Sequence, residues 1–319
     1  MIRVQPLFSL LIAASLLFSA PIIANAESTI KSVLVTGAST GIGRNLSETL
    51  ARNGYHVYAG ARKDKDMAAL NAIDNITAVR LDVTKQDEVD AVVAMIRQKG
   101  SGLYGLVNNA GIGGGGPVLE TSVEDQTSVY RVNVEGVYRI TKAFAPLVVE
   151  SKGRITSTGS IAGTVSNSGL NAYSGSKHWI EAFTDGLADE MEPLGVLVSV
   201  IEPGNYQSHI RRSSVKTSFA KIEAAGGKIT DDMHKMYDKT VARELSFKKP
   251  DDVSAAFMHA LFDDKPLRRY VVTPNQNEQA YTINTKVRQL VQLNQWGPHS
   301  YSRDQLVEML DKVIAEQAK

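Results

Sequence analysis

The 319 residues contain no cysteine. That removes disulfides, thiolate metal sites and a cysteine nucleophile together. Charge of one sign is equally scarce. Thirty-five Lys and Arg stand against 34 Asp and Glu, for a net charge of +1. A chain with no basic excess lacks the electrostatic footprint of a nucleic-acid binder, so no nucleic-acid partner is expected. No block of like charge marks an acidic or basic tail. The six histidines show no metal-ligand spacing, so no metal is expected. No linker and no internal repeat divides the chain. What remains is ordinary globular composition, 43% hydrophobic and 22% charged.

The N-terminus departs from that average. Arg3 precedes L-F-S-L-L-I-A-A-S-L-L-F (7–18), and Ala24-Asn25-Ala26 precedes Glu27. A charged start, a short apolar core and an A-x-A site make the secretory pattern, so residues 1–26 read as a cleaved signal peptide. The apolar run from Pro6 to Ala26 is also about as long as a membrane span needs, which leaves an uncleaved anchor as the alternative. A misassigned start is the third reading, and it would leave the protein cytoplasmic. No twin arginine signals export of a prefolded chain. The expected location is therefore exported, periplasmic or lumenal, or membrane-anchored.

From Lys31 onward, short β-branched runs alternate with helical stretches. Strands are expected at 32–36, 56–60, 78–82, 103–108, 154–158, 196–201 and 269–273. Helices are expected at Gly41–Asn53, Lys85–Lys99, Val123–Val132, Asn133–Glu150, Tyr173–Glu192 and Asp251–Phe262. Apolar strands alternating with helices predict an α/β fold, a single-domain Rossmann-type doubly wound parallel sheet with helices on both faces. The domain is set at 27–275. Asn205–Ser246 breaks the alternation and reads as a substrate lid or a solvated helical insertion. Residues 276–319 hold two helical stretches split by W-G-P-H-S (296–300), a C-terminal cap or a membrane- or subunit-facing element.

T-G-A-S-T-G-I-G (36–43) lies between the first strand and the first helix. Gly37, Gly41 and Gly43 let the backbone approach a pyrophosphate and leave the helix N-terminus facing it. Strand two ends in Ala61-Arg62-Lys63, with no carboxylate to take the ribose hydroxyls of NAD. Two cations suit a 2′-phosphate, so NADP is favoured and NAD stays possible. Asp82, at the end of strand three, suits the adenine amino group. N-N-A-G (108–111) gives close backbone approach to a cofactor, and G-G-G-G (113–116) is a mobile pocket rim or a loose connection.

Tyr173 and Lys177 stand at i and i+4, neighbours on one helix face. A phenol near its ordinary pKa is a poor acid or base at neutral pH; a neighbouring ammonium lowers that value. Ser160, just past strand five, can hydrogen-bond a substrate oxygen, and Asn133 can hold a water next to the lysine. His178 and Trp179 read as packing residues. This constellation predicts proton transfer to a carbonyl or from an alcohol.

In order and spacing T-G-A-S-T-G-I-G, N-N-A-G, V-N-V-E-G, S-I-A-G, Y-S-G-S-K and E-P-G resemble the short-chain dehydrogenase/reductase family over residues 31–275. The resemblance implies a catalytic set of Asn133, Ser160, Tyr173 and Lys177. It implies a cofactor-binding set of Gly37, Ser39, Gly41, Ile42, Gly43, Arg62, Lys63, Asp82, Val83, Asn109, Ala110, Gly111, Tyr173, Lys177, Pro203, Gly204 and Ser208. Ser208 stands where the family often has Thr, and Lys177 would also hold the nicotinamide ribose. G-L-Y-G-L-V-N-N-A-G (102–111), T-K-A-F-A-P-L (141–147) and V-S-V-I-E-P-G (198–204) look like the retinol, steroid and hydroxybutyrate dehydrogenase branch. Its implied substrate is a secondary alcohol or ketone on a small or apolar molecule, or a retinoid-like aldehyde. The N-Y-Q-S after E-P-G departs from the aromatic pair of retinol enzymes. The implied assembly is a homodimer or homotetramer through the helices 133–150 and 173–192. The expected protein is an NADP(H)-dependent alcohol dehydrogenase or carbonyl reductase. A catalytically idle cofactor-sensing or scaffold protein, and an epimerase or dehydratase, are the other readings.

Overall fold

The chain forms β1 (Ser32–Val35), α1 (Gly41–Arg52), β2 (His56–Ala61), α2 (Asp64–Asn71), β3 (Ile76–Arg80), α3 (Gln86–Lys99) and β4 (Gly105–Asn108) in its first third. Then come α4 (Val123–Tyr130), α5 (Val137–Glu150), β5 (Arg154–Thr158), α6 (Asn171–Met191) and β6 (Leu197–Pro203). The remainder is α7 (Ile210–Ala224), α8 (Asp231–Ser246), α9 (Asp251–Phe262), β7 (Arg269–Val272), α10 (Gln276–Leu293) and α11 (Arg303–Gln317). This is a computed structural model, and it describes residues 30–317. The leader or anchor expected at 1–26 lies outside the described residues. No described helix is long and apolar enough to cross a membrane.

The seven strands pair in parallel in the order β3-β2-β1-β4-β5-β6-β7. Period-two alternation explains how one strand feeds two cores. Leu34, Leu106 and Ile155 point to the face covered by α3, α5 and α6, against Val92, Ile96, Ile140, Phe144 and Leu187. Val33, Val35 and Val107 point to the other face, against Leu46 and Leu50 of α1, Leu70 of α2 and Phe257 and Leu261 of α9. Both faces are dry, so the strands read as continuous apolar runs rather than alternating ones. Strand order reverses at β1, between β2 and β4. The crevice outside the carboxyl ends there is where such a sheet binds ligands.

Three local differences from the sequence expectation have physical causes. Strand three starts at Ile76, not Ala78, because β2 pairs with it from Val57↔Ile76 onward. Helix α2 has no counterpart among the expected helices: D-K-D-M-A-A-L-N buries only Leu70, too little apolar periodicity to register. The two helices expected at Val123–Val132 and Asn133–Glu150 are one rod, joined by a π-helical turn at Arg131–Gly136. Such turns cost hydrogen-bond geometry and recur at functional sites.

The segment 205–246 folds as α7 and α8, joined at Gly226-Gly227. Of the two, only α8 buries a residue fully, Glu244. Its carboxylate takes the backbone N–H of Arg211 (2.8 Å) and the Nε of Arg212 (2.5 Å), which ties α8 to the start of α7.

Candidate active site

The glycine turn sits where strand order reverses. Gly37 has φ +65° and packs so closely on the β4 loop that a Cβ would lie 2.8 Å from Ala110 Cα. Gly43 faces Asn109 Nδ2, and a Cβ there would lie 2.5 Å from Gly37 O. Asn109 stitches this contact: Nδ2 donates to Thr36 O (2.9 Å) and Gly37 O (3.2 Å), while Oδ1 accepts from Thr158 Oγ1 (3.2 Å). Its side chain therefore faces protein at both ends and shapes the turn rather than reaching out of it. Thr40 precedes α1 without capping it by its side chain, so the first N–H groups of the helix stay open toward the cleft. That geometry, with no Cβ in the way, fits a pyrophosphate.

One cleft of about 1330 Å³ runs along the carboxyl ends of the strands. All the expected cofactor residues line it: Gly37, Ser39, Gly41, Ile42, Gly43, Arg62, Lys63, Asp82, Val83, Asn109, Ala110, Gly111, Tyr173, Lys177, Pro203, Gly204 and Ser208. Ser160 lines it too; Asn133 does not. At the adenosine-sized end, Arg62 lies 3.7 Å from Asp82 Oδ2, and its side chain is otherwise open. Burial works to raise the Asp82 carboxyl. Hydrogen bonds from Thr84 N and Oγ1, with Arg62 and Lys85 nearby, outweigh it and hold the group below its ordinary value.

At the other end, α6 projects Tyr173 and Lys177 from one face. The Tyr173–Lys177 spacing places the ammonium 5.7 Å from the Tyr173 ring centroid. Lys177 is almost wholly buried and donates to Thr158 O at 2.6 Å. Burial pushes it down to about 8, and Glu181, one turn further along α6, opposes that shift. The expected lowering of Tyr173 by Lys177 is not found. Burial raises the phenol above its ordinary value, and Ser160 and Arg211 only partly counter it. Desolvation is the largest cause, and the ammonium is bonded instead to Thr158 O at the end of β5.

Ser160 Oγ accepts from Ala162 N (3.1 Å) at the head of a short 3₁₀ turn, which fixes the hydroxyl beside Tyr173. Asn133 is the expected residue that stands apart. Its Oδ1 accepts from Ile112 N (2.9 Å); its Nδ2 donates to Ile112 O (3.0 Å) and Ser176 Oγ (3.0 Å). The side chain clamps the glycine-rich loop to α6 and does not line the cleft. Gly175, on the side of α6 away from Tyr173 and Lys177, lets Tyr130 pack directly on the helix.

Three residues at the site carry no role in the sequence expectation. Glu181 continues the Tyr173–Lys177 face at i+8, and Glu202 of β6 is buried beside it. Burial and the neighbouring Glu181 push Glu202 up to about 7, and Glu181 Oε2 meets Arg269 Nε at 3.1 Å. Repetition of the four-residue period is the signal that points to Glu181. Arg211, in the first turn of α7, lines the cleft and acts electrically on Tyr173. No sequence signal distinguishes it from its neighbours.

The short chain dehydrogenase family model matches residues 31–218. The mitochondrial D-beta-hydroxybutyrate dehydrogenase of Bos taurus is 37% identical over 264 residues, 75% of this chain and 76% of that one. A short chain dehydrogenase/reductase from Burkholderia phymatum in complex with NAD superposes with a TM-score of 0.70 at 24% identity, over 85% of this chain and 98% of that one. The closed form of a serine dehydrogenase complexed with NADP+ gives 0.63 at 26% identity, over 76% and 94%. The chain belongs to the short-chain dehydrogenase/reductase family, a family of oxidoreductases with a nicotinamide cofactor and small-molecule substrates.

Proposed function

Starting from that membership, we propose that the chain is an NADP(H)-dependent enzyme that interconverts a hydroxyl and a carbonyl on a small molecule. What carries the reading is the convergence of Ser160, Tyr173 and Lys177 at one end of a cleft with the open glycine turn at the other. The nicotinamide, when bound, supplies or takes the hydride. Tyr173 gives the carbonyl oxygen its proton, or takes it from the alcohol. The Ser160 hydroxyl, held by Ala162 N, donates to that oxygen and stabilises the charge that develops on it. Lys177, held at Thr158 O, would bind the nicotinamide ribose rather than tune the phenol.

Arg62 and Lys63 support NADP over NAD: both line the cleft just past β2, and the strand ends in these two cations instead of a carboxylate. The hydroxybutyrate dehydrogenase relative supports a hydroxyl–carbonyl exchange. We place the dimer or tetramer contact on α5 and α6, where Tyr138 is exposed, and read α7–α8 as the lid over the substrate. Residues 276–319 are read as a C-terminal helical extension, and residues 1–26 as the export signal or anchor.

A fluorescence titration of the protein with NADPH and NADH tests the cofactor. NADPH binds more tightly, and Arg62→Ala narrows the gap on the order of tenfold, the loss of one charge-assisted contact. Tyr173→Phe keeps NADPH binding and loses about 10²- to 10⁴-fold in ketone reduction. A folded sample that binds neither cofactor overturns the proposal.

A further inference from the structure

Arg211 and Arg243 approach the same ring, that of Phe247, from two helices. Their guanidinium carbons lie 5.2 Å and 6.0 Å from its centroid. Both line the cleft. Arg211 is half-buried, and burial together with the charge of Arg243 works against its own. Arg243 is exposed, so the cost of the two like charges falls on half-buried Arg211, which an anion would relieve.

Glu244 and Glu278 offset part of that cost from a distance, but neither contacts the guanidinium. Among the described residues, no carboxylate oxygen lies within 4.0 Å of the guanidinium of Arg211 or Arg243. Glu244 is fully buried, but its oxygens take Arg212 Nε and the backbone N–H groups of Arg211 and Arg212. The Glu278 carboxylate accepts from Asn205 N at 2.9 Å and from Asn275 Nδ2 at 3.4 Å. The one acceptor on the Arg211 side chain is a neutral one, Asn205 Oδ1 at 2.5 Å. That single contact fixes one edge of the guanidinium and leaves the rest of the fork to donate into the cleft.

We propose that the substrate carries a carboxylate, and that Arg211, with Arg243 behind it, is the residue that receives it. A planar guanidinium held by a stack and one hydrogen bond is preorganised for bidentate contact with a carboxylate. Arg211 is near enough to Tyr173 for its charge to act on the phenol. The carboxylate and the reacting oxygen therefore belong to one small molecule, a short oxo acid or hydroxy acid. Ile112, Leu170 and Ile210 of the same cleft would line its hydrocarbon part. The cations assigned to the cofactor, Arg62 and Lys63, sit at the end of β2 instead. This inference rests on the proposed hydroxyl–carbonyl chemistry, but the anion site itself is testable without turnover.

The experiment is calorimetric titration of the NADPH-loaded protein with butyrate, and with butyramide as its neutral isostere. Butyrate binds the native protein in preference to butyramide. Arg211→Met weakens butyrate on the order of 10- to 100-fold, the loss of a bidentate charge-assisted contact, and Arg211→Lys restores part of it. Thermal melts verify that both variants fold. In parallel, the ratio of kcat/KM for 3-oxobutanoate to that for its methyl ester exceeds one in the native protein and collapses in Arg211→Met. Equal butyrate binding by native and Arg211→Met protein overturns the inference. A parallel loss of NADPH affinity in Arg211→Met also overturns it, by assigning the guanidinium to the cofactor. Arg211-dependent butyrate binding with no turnover of acid or ester leaves the anion site standing and removes the proposed enzymatic function instead.

Discussion

Lys177 gives the sharpest test of the site, because its charge state couples chemistry to folding. The residue is 5% exposed, donates to Thr158 O, and has its pKa pushed from 10.5 down to about 8 by burial. In the unfolded chain the amine keeps its proton to about 10.4. Between these values the unfolded state binds more protons than the folded one, so stability rises with pH. Below about 8 both states are protonated, and the buried charge costs its full amount, roughly 3 kcal/mol for this shift. From about pH 7 to about pH 9.5 the group relieves close to 2 kcal/mol of that cost. The assay is urea unfolding at those two pH values for the native protein and Lys177→Met. Other titrating groups contribute to both proteins, so the difference between the two pH slopes isolates Lys177. The native protein should gain about 2 kcal/mol more over this interval than the variant does. Parallel slopes would refute the reasoning: Lys177 would then keep an ordinary pKa, and its ammonium would be solvated rather than enclosed.

Two substitutions test the packing around the same site. Gly43→Ala puts a methyl against Asn109 Nδ2 and 2.5 Å from Gly37 O, where two Asn109 hydrogen bonds hold the turn. Overpacking and the disturbed bonds together cost about 2–4 kcal/mol, and NADPH affinity falls with them. Unchanged stability and affinity would show that the turn is not built on that contact. Gly186 lies on the exposed face of α6, with negative φ and nothing within 4 Å of where a Cβ would stand. Gly186→Ala should therefore stabilise by about 0.5–1 kcal/mol in a thermal melt. A loss instead would mean that a second chain packs on that face.

The sheet was legible because its strands are buried on both sides. S-V-L-V and V-S-V-I cannot be mistaken for solvent-facing segments, and the glycine turn after β1 fixes where the ligand cleft opens. The catalytic face of α6 was legible because helical periodicity alone brings Tyr173 and Lys177 together. The short helix α2 escaped because it buries one residue. The continuity of α4 and α5 escaped because a π turn has no residue preference that marks it.

By itself, then, the sequence determined the parallel sheet, the order of its elements, and most of the side chains that share the cleft. These follow from local periodicity and from glycines that only a close approach explains. Only the tertiary structure decided what those side chains do there. It turned Lys177 toward Thr158, left Tyr173 half-buried with its phenol raised rather than lowered, and committed Asn133 to Ile112. It also brought Arg211 from a helix almost forty residues past Tyr173 to the edge of the same pocket. Desolvation and charge depend on everything that packs around a group, and neighbours distant in the chain leave no mark in local spacing.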